Sequence, residues 1–312
     1  MDFDGPYWTK DSPLPPENAS FGMYRTSMLI TGTNCSYIYL GFCENDNSKK
    51  ALKFVKRIEK NMDKMQNEIE TMSLAQHPNI LKIDDIFPYN EYLCIVTPYA
   101  PIGSLHRLIR TQYQDGLPES TAKIMMRQML EAINYLHGIN IWHRDIKPDN
   151  FLVFDPDLNN PIIYLSDFGF AKIFQDSETC DEYMGTPEFA APEMFNQTPY
   201  DKSIDIWSLG ITLYVMLTGR YPFPSYQVAP NDLIFRVKNG LLNYNLLRRQ
   251  DVSPDAQDLI HMMCKLNPEE RIPAHEALRH PWLASTFKQS SCETQIVDAL
   301  FRGEEFEFSP GV

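Results

Sequence analysis

Near residue 104 the apolar pattern of this 312-residue chain changes period, and that change limits the fold more than any other feature. Before it, short alternating or apolar runs at 37–40, 51–55 and 92–96 are separated by turn-rich stretches such as 44–48. That is the pattern of an antiparallel sheet. A polar helical stretch at about 60–75 lies between the second and third runs. Beyond residue 104, Ala122, Met126, Met129, Ile133 and Leu136 recur every three or four residues, and Gly138 is placed to cap that helix. Residues 203–217 are apolar nearly all round, as a buried central helix would be. They fall short of the roughly 20 residues that a membrane span needs, and Asp205 sits among them, so no span is expected. The reading is an α+β chain: a small antiparallel β-sheet with one main helix, then a larger, mostly helical part. Residues 1–20, with four prolines, form an extended lead-in.

Composition excludes more than it identifies. Lys and Arg number 28 against 41 Asp and Glu, a net charge of −13. That argues against general nucleic-acid or anionic-membrane binding and weakly favours basic partners. Cys35, Cys43, Cys94, Cys180, Cys264 and Cys292 show no paired or zinc-type spacing, as expected of reduced thiols in a cytoplasmic protein, a nuclear location being the alternative. The start, Met1-Asp2-Phe3-Asp4-Gly5-Pro6, has neither the basic nor the apolar region of a signal peptide. The Asn-x-Ser matches at Asn18 and Asn34 therefore carry no meaning as glycosylation sites.

Four motifs stand in register. His143-Arg144-Asp145-Ile146-Lys147-Pro148-Asp149-Asn150 follows the helical stretch and precedes a short apolar run. Asp167-Phe168-Gly169 begins seventeen residues after Asn150. Gly185-Thr186-Pro187-Glu188-Phe189 and Ala191-Pro192-Glu193 come next. Singly, each is a set of turn residues; together their order and spacing are very hard to obtain by chance.

This arrangement resembles the protein kinase superfamily over about residues 21–285. The resemblance implies a two-lobed fold, with an N-lobe at 21–100, a C-lobe at 101–285 and an acidic tail at 286–312. It implies ATP-dependent phosphoryl transfer, which asks for positioning and charge neutralisation more than covalent chemistry. By resemblance, Asp145 accepts or orients the substrate hydroxyl proton and Lys147 balances charge on the transferring phosphate. Asn150 and Asp167 offer the hard oxygen ligands that suit Mg²⁺. Lys53, in Ala51-Leu52-Lys53, matches the lysine that contacts the nucleotide phosphates. Glu68, nine residues before His77, matches the glutamate that pairs with it, while Glu70 competes by residue type. Thr97, Pro98 and Ala100 fall along the strand and hinge that meet adenine. Proline there has no N–H, but the family uses the carbonyl at that place, and Ala100 supplies the donor. Ile38, Ala51 and Leu152 would sandwich the base, ordinary core being the competing reading.

The phosphate-covering loop departs from the family. Its three glycine positions hold Thr31, Thr33 and Ser36, with Gly32 the single local glycine. Glycine there permits unusual φ and close approach of backbone N–H groups to phosphate. Weaker nucleotide binding or slower turnover is expected, and a pseudokinase scaffold or binding module stands as the alternative.

Lys147 and Thr186 match serine/threonine kinases. Gly185 to Glu193, with His280-Pro281-Trp282-Leu283, most resembles the calmodulin-dependent group. Yet residues 284–312 hold two basic residues, Lys288 and Arg302, against five acidic ones, which is unlike a basic amphipathic calmodulin-binding segment. Calmodulin is therefore not an expected partner; a protein substrate with a serine or threonine acceptor is. Glu182 stands where relatives carry a phosphorylated threonine, and Arg144 and Lys172 are the cations expected to meet it. Ser104 and Val215 replace acidic residues that relatives use to read arginine upstream of the acceptor. Asp205 is expected to anchor the catalytic-loop backbone and Arg271 to pair with Glu193. His143, Phe168, Met72 and Ile83 match an apolar column joining the lobes.

Overall fold

Strand alternation sorts the first part of the chain into two faces. The computed structural model describes residues 15–284 except 156, 176–177, 197, 224–228 and 250. Strands β1 (Ser20–Phe21), β2 (Tyr24–Gly32), β3 (Ser36–Cys43) and β4 (Lys49–Lys56) precede helix α1 (Glu59–Leu74), and β5 (Asp85–Tyr89) and β6 (Tyr92–Pro98) follow it. All six form one antiparallel sheet in the order β1-β2-β3-β4-β6-β5. Successive side chains point to opposite faces of a strand. Tyr39, opposite Leu52, and Phe54, opposite Cys94, join Tyr24, Tyr92 and Val96 in a core on one face. The register puts Ile38 opposite Lys53 and Ala51 opposite Thr97, which places these four on the other face. Burying a side chain such as Phe54 contributes on the order of 2–3 kcal/mol, so a one-residue slip would expose the core and is strongly disfavoured.

The helical part runs from β7 (Gly103–Ser104), α2 (Leu105–Gln112) and α3 (Glu119–Gly138) through β8 (Ile141–Trp142), β9 (Phe151–Val153), β10 (Ile163–Leu165) and β11 (Lys172–Ile173). It continues with α4 (Ser203–Thr218), α5 (Pro230–Lys238), α6 (Tyr244–Arg249), α7 (Pro254–Met263), α8 (Ala274–Ala277) and α9 (Pro281–Ala284). Helix α4 is buried from Ile204 to Thr218. Helices α3, α6 and α7 pack on it, and its core extends through Ile80, Leu81 and Met72 to the inner side of α1. The expected α+β architecture is the one observed. No helix among the described residues is long and apolar enough to cross a membrane.

Two local readings differ. Helix α3 runs through Gly138 and is capped at Ile139 instead, and Asn140, at φ 57°, takes the left-handed conformation of the turn that follows. Strands β2 and β5 carry no clear alternation in sequence. The last five residues of β2 are all exposed, and β5 contains Pro88, which a sheet tolerates at an edge such as this one.

Candidate active site

The loop joining β8 to β9 is fastened from below by one buried carboxylate. Asp205, in the first turn of α4, accepts from His143 N and His137 Nε2 on Oδ2 and from Arg144 N on Oδ1, each at 2.9 Å. Burial alone would raise this carboxyl. The hydrogen bond and charge of His137, with the His143 amide, outweigh it and hold the group below the usual carboxylate range. The anchor fixes Arg144 at φ 64°, a left-handed conformation that a non-glycine residue holds only under constraint. His143 is fully buried, its ring 5.0 Å from that of Phe168, and so packs as a structural residue.

Above the anchor, three polar side chains converge on Asp145. Its Oδ2 accepts from Lys147 Nζ at 2.7 Å and Asn150 Nδ2 at 3.1 Å, and its Oδ1 accepts from the Thr186 hydroxyl at 2.9 Å. Lys147 Nζ also donates to Thr186 Oγ1 at 2.7 Å, closing a triangle. Gly185 permits this approach. Its φ is 87°, and a Cβ there would stand 2.5 Å from the Arg144 carbonyl oxygen.

Lys53 Nζ meets Glu68 Oε1 at 2.6 Å across the space between sheet and α1. Glu70 is exposed and bonds Gln66, which settles which glutamate pairs with the lysine. Burial pulls the Lys53 ammonium down, but the carboxylates of Glu68 and Asp167 more than offset it, and its pKa is raised. Asp167 therefore acts on the same charge, from a left-handed residue at φ 58° that leads into the turn Phe168–Phe170.

These side chains fit a nucleotide with its cation. Ile38, Ala51 and Thr97 share the sheet face that carries Lys53, and Leu152 lies half-buried on β9. Pro98 ends β6 opposite Lys50. Ala100, 9% exposed, accepts on its carbonyl from Gly103 N, while its own N–H meets no acceptor among the described residues, an orphaned donor at the hinge. Asn150 turns Nδ2 toward Asp145 O and Oδ2, which leaves Oδ1 as the atom facing away from protein donors. Among the described residues no group of three His, Cys, Asp or Glu side chains is placed to hold a metal. A cation at Asp167 and Asn150 would therefore complete its shell with phosphate and water, as Mg²⁺ characteristically does.

The glycine-poor loop folds on itself. Thr33 Oγ1 accepts from Cys35 N at 3.3 Å and Ser36 N at 3.1 Å, and Thr33 N donates to Ser36 O at 2.8 Å. Two backbone donors that a glycine-rich loop would present to phosphate are occupied by this side chain.

In the segment after Asp167, Arg144 Nη1 meets Glu182 Oε2 at 3.2 Å, and Arg144 Nε donates to Phe170 O at 2.7 Å. Tyr200, unmarked by any motif, donates its hydroxyl to Glu182 O at 2.6 Å. Lys172 does not join them; its ammonium lies 4.9 Å from the centre of the Phe174 ring. Arg271 and Glu193 form a buried bidentate pair at 2.7 and 3.1 Å. Asp149 is taken by His106 at 2.7 Å, a pairing the sequence did not signal, and Val215 is buried within α4. Also unsignalled is Asn67, which reaches from α1 to the carbonyls of Phe168 and Ala171.

A model of the protein kinase domain matches residues 26–283. Myosin light chain kinase A of Dictyostelium discoideum is 30% identical over 262 residues, 83% of this chain and 87% of that one. A probable myosin light chain kinase of the same organism is 33% identical, over 72% of this chain and 57% of its own length. Calcium/calmodulin-dependent protein kinase type 1 of Macrobrachium nipponense is 32% identical, over 71% of this chain and 63% of its own.

Proposed function

The chain belongs to the protein kinase domain family, and from that premise we propose that it transfers phosphoryl groups from ATP to serine or threonine hydroxyls of protein substrates. The observation that carries this reading is the buried carboxylate of Asp145, fixed on both oxygens by Lys147, Asn150 and Thr186. A carboxylate so held keeps one orientation toward an incoming hydroxyl and serves as its proton acceptor or guide. Bound Mg²⁺-ATP supplies the phosphoryl group and much of the neutralising charge. Lys53, oriented by Glu68, holds the nucleotide phosphates. Asp167 and Asn150 Oδ1 hold the cation. Ile38, Ala51 and Leu152 flank the base, Thr97 borders it, and the Pro98 carbonyl and Ala100 N–H meet its polar edge. Lys147, already between Asp145 and Thr186, steadies charge on the transferring group.

A non-transferring binding module is the second reading, favoured by the Thr33 bonds that occupy the amides of Cys35 and Ser36. The residues that bear on calmodulin binding lie in 285–312, outside the described residues.

The purified protein, given Mg²⁺ and labelled ATP with a basic generic substrate, is expected to label serine or threonine. Asp167→Ala should lower the rate on the order of 10²-fold or more, as removal of a charge-stabilising group does. Nucleotide binding without any transfer by the wild type would overturn the kinase reading in favour of the binding module.

A further inference from the structure

Glu68 owes its position to a helix, and something must hold that helix in register with the segment after Asp167. Asn67 is the residue placed to do so. Its Nδ2 donates to Phe168 O at 3.3 Å and to Ala171 O. Only the NH₂ end of an asparagine carries two donors, so two carbonyl acceptors fix the amide in one orientation. The acceptors open and close the single turn Phe168–Phe170, whose own bond runs from Ala171 N to Phe168 O at 3.0 Å. Arg144 Nε takes Phe170 O, in the same turn, at 2.7 Å. Three carbonyls within four residues are thus gripped, two from α1 and one from the catalytic loop. The grip adjoins Asp167, whose left-handed φ of 58° persists only where neighbours over-determine it.

Adjacent residues on a helix project about 100° apart. Glu68 faces Lys53 at 2.6 Å while Asn67 faces the Phe168 turn, so one rigid turn of α1 joins both carboxylates that act on the Lys53 ammonium. A displacement of α1 that parts Lys53 from Glu68 also pulls Asn67 from its carbonyls.

We infer that Asn67 is a positioning residue which sets the Glu68–Lys53 pair and the Asp167 backbone together, so that the nucleotide site is assembled or dispersed as a unit. The inference rests on the kinase reading for its kinetic consequence but not for its structural one.

Wild type, Asn67→Ala and Asn67→Gln are compared in two ways. In the nucleotide-free protein, amide hydrogen exchange across residues 168–173 should quicken in Asn67→Ala, with Tm unchanged and exchange in α4 unaffected. In transfer assays the KM for ATP should rise about tenfold, the typical effect of losing a group that orients a metal ligand, while the KM for the peptide stays constant. Asn67→Gln, which keeps the donors on a longer arm, should recover part of both effects. Unchanged exchange at 168–173 would overturn the inference. So would acceleration spread over the whole chain with a lowered Tm, which would mark Asn67 as merely structural. If the wild type transfers nothing, the kinase reading fails while the exchange comparison still decides the role of Asn67.

Discussion

Glu182 meets Arg144 with half of its own side chain exposed (53%), so the pair is screened and contributes less than about 1 kcal/mol to stability. Its consequence is geometric. Arg144 also holds Phe170 O, and Tyr200 holds the Glu182 backbone, so a carboxylate takes up the cation that a phosphate would otherwise claim. The protein freed of phosphate should therefore be active, and Glu182→Gln should lower kcat/KM by about fivefold, the scale of one exposed ion pair. A phosphatase-treated wild type that stays inert until Ser177 or Thr179, the acceptors just upstream in that segment, is phosphorylated would contradict this. Glu182 and Arg144 are legible in sequence because fixed distances from Gly185 and Asp145 locate them. Lys172 obeys the same spacing but finds an aromatic face nearer. Asn67 is illegible, since its acceptors are backbone atoms about a hundred residues away and no pattern of residue types marks a carbonyl.

Among elements, α4 combines the clearest sequence signature with the greatest structural consequence. Its apolar surface on every side predicted burial, and its buried Asp205 carries the catalytic loop. Asp205→Ala leaves two backbone N–H groups and a histidine without their acceptor. At about 1–3 kcal/mol for each buried group left unpaired, the three together should cost at least about 3 kcal/mol of stability. Urea unfolding measures it, and a loss below about 1 kcal/mol would show that water reaches these groups. Strands β3 and β4 are readable because one face of each is core, and β6 because its first five residues are all buried. In β2 and β5 that contrast fades, at a stretch exposed on both sides and at a proline-bearing edge. The cap of α3 falls one residue beyond Gly138, and the left-handed turn after it is taken by Asn140, asparagine being among the few non-glycine residues that adopt that conformation readily.

At the scale of the molecule, the two parts and their order are evident from the change of period, and the site between them from four motifs in register. Less evident is how carboxylates tie distant elements. Glu119, at the start of α3, accepts from Ser253 N and Oγ and from Trp282 Nε1. Burial would raise its pKa, but these bonds outweigh it and lower it, as the bonds to Asp205 do. Carboxyls lowered on folding stabilise fully above their unfolded values, about 3.9 for Asp and 4.3 for Glu, and lose that contribution as pH falls through the folded values. Thermal unfolding should therefore be flat in Tm from pH 7 to about 5 and drop steeply below about 4. A Tm unchanged at pH 3 would show that neither carboxylate is coupled to folding.

The margins of the sheet also bear on assembly. One edge is β5 with Pro88 in it; the other is β1, two residues long, beyond which Thr26 N is taken by Ala19 O and Leu29 N by Glu17 Oε1. A proline in one margin, and a very short strand with occupied amides beside it at the other, each make an added strand harder to template. Edge-to-edge stacking, the route by which exposed strands aggregate, is therefore disfavoured at both margins of this sheet.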